Sequence, residues 1–271
     1  MKLKRIKIFA VFVLISFVVG CKSLEKKELN SKKNQWIQLF NGKNLDNWVV
    51  KIKGHPIGEN YRNTFRAVNG VLQVNYDLYD TFGTSYGHIF YKKEFSNYKL
   101  RLQYRFIGDQ LKDGQEWAKK NSGVMIHSQA PESMGINQDF PISIEVQLLG
   151  GLGDKERPTA NVCTPGTHIV LNNEKVTTHC INSTSKTFHG NQWVNLEVLV
   201  RNDSIISHKI NGDTVITYFK PTIGGAVDID RETWKSKEGN ALKSGFISLQ
   251  SESHPVEFRN IEILELSLKK S

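Results

Sequence analysis

The chain has 271 residues, three cysteines and a formal net charge of +9. Its length suits one large domain behind a leader, because all-β sandwiches reach this size alone. Residues 1–35 hold nine Lys and Arg against two Glu, so this segment carries +7 of the net charge. The rest of the chain lacks the basic balance typical of nucleic-acid binding, and no nucleic-acid partner is expected.

The N-terminal segment has the features of an export signal. A cationic start precedes an apolar run, residues 8–19, that is too short to cross a bilayer comfortably. The residues Val18-Val19-Gly20-Cys21 resemble the lipobox of bacterial lipoprotein precursors. We therefore predict that residues 1–20 are a signal peptide, that Cys21 carries lipid, and that residues 21–35 are a flexible tether. An ordinary secretory signal with a chance cysteine is the alternative.

Export has two further consequences. Lys22 follows the cysteine where an Asp would favour retention in the inner membrane, so the outer membrane is favoured. In an oxidising compartment Cys163 and Cys180 are the two cysteines left to form a disulfide, and two buried free thiols are the alternative.

The predicted domain, residues 36–268, alternates between apolar and polar residues along most of its strands. Asn69-Gly70 and Asn211-Gly212 each separate two such segments, and these dipeptides favour type I′ hairpin turns. Long amphipathic helical patterns are absent from the sequence. The alternation is clearest in three segments, residues 98–106, 142–149 and 194–201. This pattern predicts an all-β fold of two packed antiparallel sheets, a sandwich or jelly roll.

Three segments place unusual polar residues on one face of a strand. They are Asn121, Gly123, Met125 and His127 in the first, Ser143, Glu145 and Gln147 in the second, and Ser248, Gln250, Glu252 and His254 in the third. Carboxylate, amide and imidazole groups together can bind sugar hydroxyls and transfer protons. Alternation predicts the face of each side chain but not whether the three segments are neighbours.

Each candidate residue also has a structural interpretation. Glu145 could be solvated or paired with Arg105, which could itself be an ordinary surface charge. His127 could have a structural role at the end of an apolar strand. Glu252 and His254 could cap a strand end. A metal site of His127, Glu145 and His254 is conceivable, but no close ligand spacing supports it.

Several segments, in this order along the chain, resemble the 3-keto-disaccharide hydrolase domain family. They are Trp36–Trp48, Phe65–Leu72, Tyr98–Phe106, Asn121–Val124, Ile144–Gln147 and Gly245–Ile263. Two further segments, 131–138 and 156–185, look like subgroup insertions. The resemblance implies a concanavalin A-like jelly roll and a carbohydrate substrate oxidised at C3. It leaves the oligomeric state open.

The implied chemistry assigns a role to each polar candidate. A ketone at C3 acidifies the C2 proton, so that a base can start elimination of the C1 substituent. Glu145 is the candidate base with His127 as the substitute, and Glu252 or His254 would protonate the departing oxygen. The expected substrate-binding residues are Arg105, Asn121, Gln147, Gln250 and His254, and three of them, Arg105, Asn121 and Gln147, could hold the enolate oxygen. A divalent metal could take that last role instead.

Two other functions stay open at this point. A non-catalytic carbohydrate-binding lipoprotein could use the same sandwich. A conventional glycosidase would use Glu145 and Glu252 as its pair of carboxyl groups.

Overall fold

A computed structural model describes residues 35–225 and 234–267. The predicted signal peptide, residues 1–20, and the predicted lipidation site, Cys21, lie outside the described residues. Among the described residues, no helix has the length and apolar character needed to cross a membrane.

The described residues form seventeen strands. They are β1 (Ile37–Gln38), β2 (Trp48–Ile52), β3 (Phe65–Val68), β4 (Val71–Val74), β5 (Gly87–Tyr91), β6 (Asn97–Phe106), β7 (Asn121–Ser128), β8 (Ile144–Leu149), β9 (Asn161–Cys163), β10 (Thr167–Leu171), β11 (Glu174–Val176), β12 (Cys180–Ile181), β13 (Val194–Arg201), β14 (Ile205–Ile210), β15 (Asp213–Ile223), β16 (Phe246–Ser251) and β17 (Val256–Glu265). Short 3₁₀ helices occur at Tyr61–Asn63, Glu116–Ala118 and Pro131–Ser133.

The strands form two antiparallel sheets. The ten-stranded sheet has the order β11-β10-β15-β14-β13-β6-β17-β4-β3, with β1 paired to β17. The seven-stranded sheet has the order β12-β9-β8-β7-β16-β5-β2. The predicted all-β sandwich of two antiparallel sheets is therefore confirmed.

Alternating residues of the two sheets form the core between them. On β6 of the ten-stranded sheet, Tyr98, Leu100 and Leu102 are buried, while Arg101 between them is exposed. On the seven-stranded sheet, Val124 and Val146 are buried cross-strand partners. The period of two places one side of each strand in the core, as the sequence predicts.

Both Asn-Gly hairpins form as predicted. Asn69 and Gly70 join β3 to β4 with φ values of 49° and 81°. Asn211 and Gly212 join β14 to β15 with φ values of 50° and 98°. These positive φ angles match the left-handed backbone that an Asn-Gly hairpin turn needs.

The disulfide also forms as predicted. Cys163 on β9 and Cys180 on β12 are bonded, with their Cα atoms 4.1 Å apart. The bond ties the edge strand β12 to the sheet. Cys163 is in turn the cross-strand partner of Glu145 on β8. The covalent link therefore lies directly beside one of the candidate residues.

The outer face of the seven-stranded sheet is covered by loop segments. Phe140 packs against Tyr86 and His88, with ring centroids 5.3 and 6.0 Å away. Trp117 stacks on Tyr86 at 6.1 Å. The segments before β7 and before β8 therefore enclose a face that would otherwise be open to solvent.

Candidate active site

The strand register brings the three polar segments together. Glu145 on β8 is the cross-strand partner of Met125 on β7, and Gln147 is the partner of Gly123. On the other side of β7, Met125 is the partner of Ser248 on β16. β7 lies between β8 and β16, so the segments that the sequence could not place relative to one another are adjacent.

Gly123 leaves space at the site because it has no side chain. A β-carbon built on Gly123 would lie 2.6 Å from Oε1 of Glu145 and 3.0 Å from Oε1 of Gln250. The side chains of Glu145 and Gln250 thus approach each other over the backbone of β7. Only a residue without a side chain permits this arrangement, because real Cβ contacts do not come this close.

Many polar atoms around Gly123 are buried without a hydrogen-bond partner in the protein. They include both nitrogens of His88, Oδ1 of Asn121, Oγ of Ser248, both amide atoms of Gln250 and Oε2 of Glu252. A buried unpaired polar group costs about 1–3 kcal/mol, and folded proteins contain few of them. Such a concentration on one face indicates a site whose polar groups are arranged for a ligand.

The two carboxyl groups influence each other. Burial raises the pKa of Glu145, and burial together with the charge of Glu145 raises the pKa of Glu252 well above its usual range. Glu145 is 6% exposed and Glu252 is 2% exposed. Two neighbouring carboxylates in a buried site resist double ionisation, so the pair retains a proton at neutral pH.

The turn after β16 holds Glu252 and directs His254 away from it. Ser253 lies between them with φ +80°, and its N–H donates to the Tyr76 hydroxyl at 2.9 Å. The carbonyl of Ser253 accepts from the Leu111 N–H at 3.1 Å. His254 packs edge-on against Phe106 of the other sheet, at 5.6 Å between ring centroids. The positive φ thus separates two residues that simple alternation would place on one face.

Asn121 and Gln147 lie on the same face as Glu145. Asn121 is buried beside the 3₁₀ helix that contains Trp117. The Oε1 atom of Gln147 accepts a hydrogen bond from Asn161 on β9 at 3.0 Å. Gln147 is therefore already engaged at its acceptor, whereas Gln250 has no partner within the protein.

Arg105 is separated from the site. It lies on β6 of the ten-stranded sheet, where its guanidinium pairs with Glu257 at 2.7 Å and covers the ring of Trp193. Its neighbours Tyr104 and Phe106 point into the core, so Arg105 points outward from the opposite side of the sandwich. The predicted role of Arg105 at the enolate oxygen is wrong, and so is the alternative pairing with Glu145. Alternation alone could not show which sheet a strand joins.

His127 is also turned out of the site. The register of β7 and β16 shifts between Phe246 and Ser248, and His127 has φ +49° at this irregularity. Its Nε2–H donates to the carbonyl of Asn202, in the turn between β13 and β14, at 3.0 Å. A β-bulge redirects a side chain in this way. The structure does not bring His127 together with Glu145, and the structural interpretation fits its position.

Sequence reasoning missed two residues of the site. His88 on β5 is fully buried, is the cross-strand partner of Gln250, and faces Phe140. Lys51 on β2 is the partner of His88 on its other side, and its ammonium donates to the carbonyls of Ile52 and Ile136 at 3.0 Å each. The one feature of the sequence that could have indicated His88 and Lys51 is that each is a polar residue within an otherwise apolar strand.

No group of three or more His, Cys, Asp and Glu side chains within the described ranges is arranged to hold a metal ion. His127, Glu145 and His254, the conceivable ligand set, are directed to different surroundings. The polar groups at the site are amides, hydroxyls, an imidazole and two carboxyls.

The match to a family model defines the class of protein. Residues 35–264 match the 3-keto-alpha-glucoside-1,2-lyase-like domain. The chain therefore belongs to this family, as its ordered motifs predict, and the membership supports a carbohydrate-related function. A comparison with curated proteins found no match.

Solved structures provide more distant likenesses. A candidate glycosyl hydrolase from Parabacteroides distasonis is 20% identical, with 89% of this chain and 97% of that chain covered and a TM-score of 0.49. A second structure of a candidate glycosyl hydrolase from that organism is also 20% identical, with coverage of 86% and 100% and a TM-score of 0.49. A carbohydrate-binding module, CBM66, from Bacillus subtilis is 10% identical, with coverage of 79% and 93% and a TM-score of 0.44.

Proposed function

We propose that this protein cleaves the C1 bond of 3-keto-glycosides at the covered face of the seven-stranded sheet. The observation that carries the proposal is the pair of buried carboxyl groups of Glu145 and Glu252, whose burial raises both of their pKa values. The family description supplies the substrate class. A conventional glycosidase would stabilise an oxocarbenium ion, whereas a 3-keto sugar needs only acid and base groups and an oxyanion site.

The carboxyl pair supplies one acid and one base. Burial raises the pKa of both carboxyl groups, and the charge of Glu145 adds to the rise at Glu252, so we assign the retained proton to Glu252. Glu145, as the carboxylate, removes the C2 proton. The C2–H electrons form the enolate at C3, and its collapse expels the C1 substituent, which takes the proton from Glu252 as it leaves. The products are an enone and a free alcohol, and water addition to the enone would complete a hydrolysis.

Substrate access requires movement of the covering segments. Glu145 and Gln250 are buried on the face where Phe140 packs against Tyr86 and His88 and where Trp117 stacks on Tyr86. Trp117 is itself 52% exposed, so its ring forms part of the outer surface of the cover. Displacement of these two aromatic residues would open the face and, on closure, would exclude water from the enolate.

We also propose that the protein works at a membrane surface outside the cytoplasm. The cationic start, the apolar run and the lipobox-like residues before Cys21 support this placement. The disulfide between Cys163 and Cys180 is in keeping with an oxidising compartment. Metabolic labelling with a fatty acid, with Cys21→Ser as the control, tests it. Lipid incorporation in the parent and its loss in the variant are expected, and an unlabelled parent overturns the proposal.

Turnover of a 3-keto-glucoside tests the activity. The parent protein, Glu145→Gln and Glu252→Gln are incubated with the 3-keto-glucoside and with the unoxidised glucoside, each with and without a chelator. We expect the parent to act on the keto sugar only and each variant to lose at least about 10²-fold in rate. Cleavage of the unoxidised glucoside would identify a conventional glycosidase, and binding without turnover would identify a carbohydrate-binding module.

A further inference from the structure

We propose that His88 and Gln250 form the donor pair that binds the C3 oxygen of the keto sugar and stabilises its enolate. This assignment rests on the proposed function. It fills a role for which Arg105 is unavailable on the opposite sheet, and it involves a residue, His88, that the sequence patterns do not single out.

The two side chains are neighbours on the site face. His88 on β5 and Gln250 on β16 are direct cross-strand partners, and side chains of such partners lie about 5 Å apart at their β-carbons. Gln250 also approaches Glu145 over Gly123. A sugar with its C2 proton at Glu145 can place its C3 oxygen, one carbon further along, on the side of Gln250 and His88.

Both side chains have hydrogen-bonding capacity that the protein does not use. His88 and Gln250 are each 0% exposed, and their four polar side-chain atoms lack partners in the protein. His208 provides the contrast, since it is also 0% exposed. Its Nδ1–H donates to the Ala160 carbonyl at 2.9 Å, and its Nε2 accepts from the Tyr218 hydroxyl at 2.8 Å. Both nitrogens of His208 are thus bonded within the protein, whereas neither nitrogen of His88 is.

The charges around His88 suit an anionic oxygen. Burial and the nearby charge of Lys51 lower the pKa of His88 to about 3, so its imidazole is neutral and presents one N–H. Phe140 faces the ring at 6.0 Å and contributes no competing acceptor. Lys51, whose ammonium donates to two backbone carbonyls, adds a positive charge from β2, the strand next to β5. Fixed donors and a nearby cation in a dry site stabilise a developing enolate most effectively.

Variants of the two buried histidines test the assignment. We expect His88→Leu to lower kcat/KM for a 3-keto-glucoside by about 10²–10³-fold without lowering the melting temperature. His88→Asn retains an N–H donor and should lose less. The matched control, His208→Leu, should lower the melting temperature and leave kcat/KM of the folded protein close to that of the parent.

Nitrogen NMR of the imidazoles gives a direct readout. In Glu145→Gln, which should bind the keto sugar without turnover, the resonances of His88 should shift on addition of 3-keto-glucoside and those of His208 should not. If the parent turns over the keto sugar while His88→Leu is unimpaired, or if His88 does not respond, the donor assignment alone is overturned. If the parent shows no turnover, the proposed function is overturned and this assignment with it.

Discussion

Oε1 of Glu145 lies 2.6 Å from the point where a β-carbon on Gly123 would stand. The two residues are on adjacent strands, β8 and β7, but they are not direct cross-strand partners, since Glu145 is opposite Met125. Glu145 therefore leans along the sheet into the gap above Gly123. This gap is what allows an acid from β8 and an amide from β16 to approach each other.

The first prediction concerns that gap. Gly123→Ala would place a methyl group 2.8 Å from Cγ of Glu145 and 3.0 Å from Oε1 of Gln250, so both side chains must move. We expect kcat/KM to fall at least about tenfold and the free energy of unfolding to fall by about 1–3 kcal/mol. Steady-state kinetics and urea denaturation measure the two effects.

A matched control exists at Gly135. A β-carbon there would meet its nearest neighbour, Cβ of Gln138, at 3.9 Å, which is ordinary van der Waals contact. Gly135→Ala should therefore retain parental activity and stability. Equal activity of both alanine variants would contradict the role given to the space above Gly123.

The second prediction concerns the pH dependence of stability that Glu252 produces. Its pKa is raised on folding, so the folded state holds a proton that the unfolded state releases above about pH 4.3. The contribution of this group to stability is greatest below that pH and declines as the pH rises toward the folded-state pKa. Glu252→Gln cannot ionise, so its melting temperature should exceed that of the parent at pH 8 and approach it near pH 4. Calorimetry from pH 4 to pH 8 measures the two melting temperatures. A Glu252→Gln variant that is less stable than the parent at every pH would contradict the raised pKa of Glu252.

The third prediction concerns acid lability. Burial lowers the pKa of His88 to about 3 and that of His208 to about 4. Between these values and about pH 6.5, both histidines are therefore neutral in the folded protein and protonated in the unfolded chain. Their contribution to stability is present above about pH 6.5 and is lost as the pH falls toward the folded-state values. Each contributes a slope of at most about 1.4 kcal/mol per pH unit in that window.

The comparison is made between variant and parent because the carboxyl pair acts with the opposite sign between about pH 4 and pH 6.5. His88→Leu should become progressively more stable than the parent as the pH is lowered from 6.5 to 4. Urea denaturation at several pH values measures the difference. Parallel curves for the two proteins would mean that His88 is protonated in the folded state.

The fourth prediction concerns the disulfide. Cys163 and Cys180 are 17 residues apart in sequence, and closing a loop of this size stabilises a fold by about 3 kcal/mol in the chain-entropy model. The double variant with serine at both positions should lose about that amount in urea denaturation. A reductant should destabilise the parent similarly and leave the double variant unchanged. A reductant effect on the double variant would point to another cause.

The fifth prediction separates Arg105 from catalysis. Arg105→Ala removes a partly exposed ion pair with Glu257 and a contact with Trp193, which together contribute about 1 kcal/mol. The melting temperature should fall slightly, and kcat/KM should stay within about twofold of the parent value. A large loss of activity at unchanged stability would place Arg105 in the reaction after all.

The sequence by itself determined the strands, their faces and the two Asn-Gly turns, because these depend on a period of two and on local backbone preferences. It also predicted that Glu145 and Gln147 share one face of their strand and that Gln250 lies on the polar face of another strand, and the order of its motifs identified the family. His88 was not predicted as a site residue because one histidine in the apolar strand Gly87–Tyr91 does not form a pattern.

Only the tertiary structure decided which of these residues meet. Strand order placed Arg105 and Glu145 on different sheets, and the irregularity at His127 rotated that side chain away. The loop segments of Phe140 and Trp117 turned an outer face into a buried one, which raised the carboxyl pKa values and left His88 neutral. Strand pairing, bulges and burial depend on contacts between residues far apart in the chain. The alternation within a single strand does not predict these contacts.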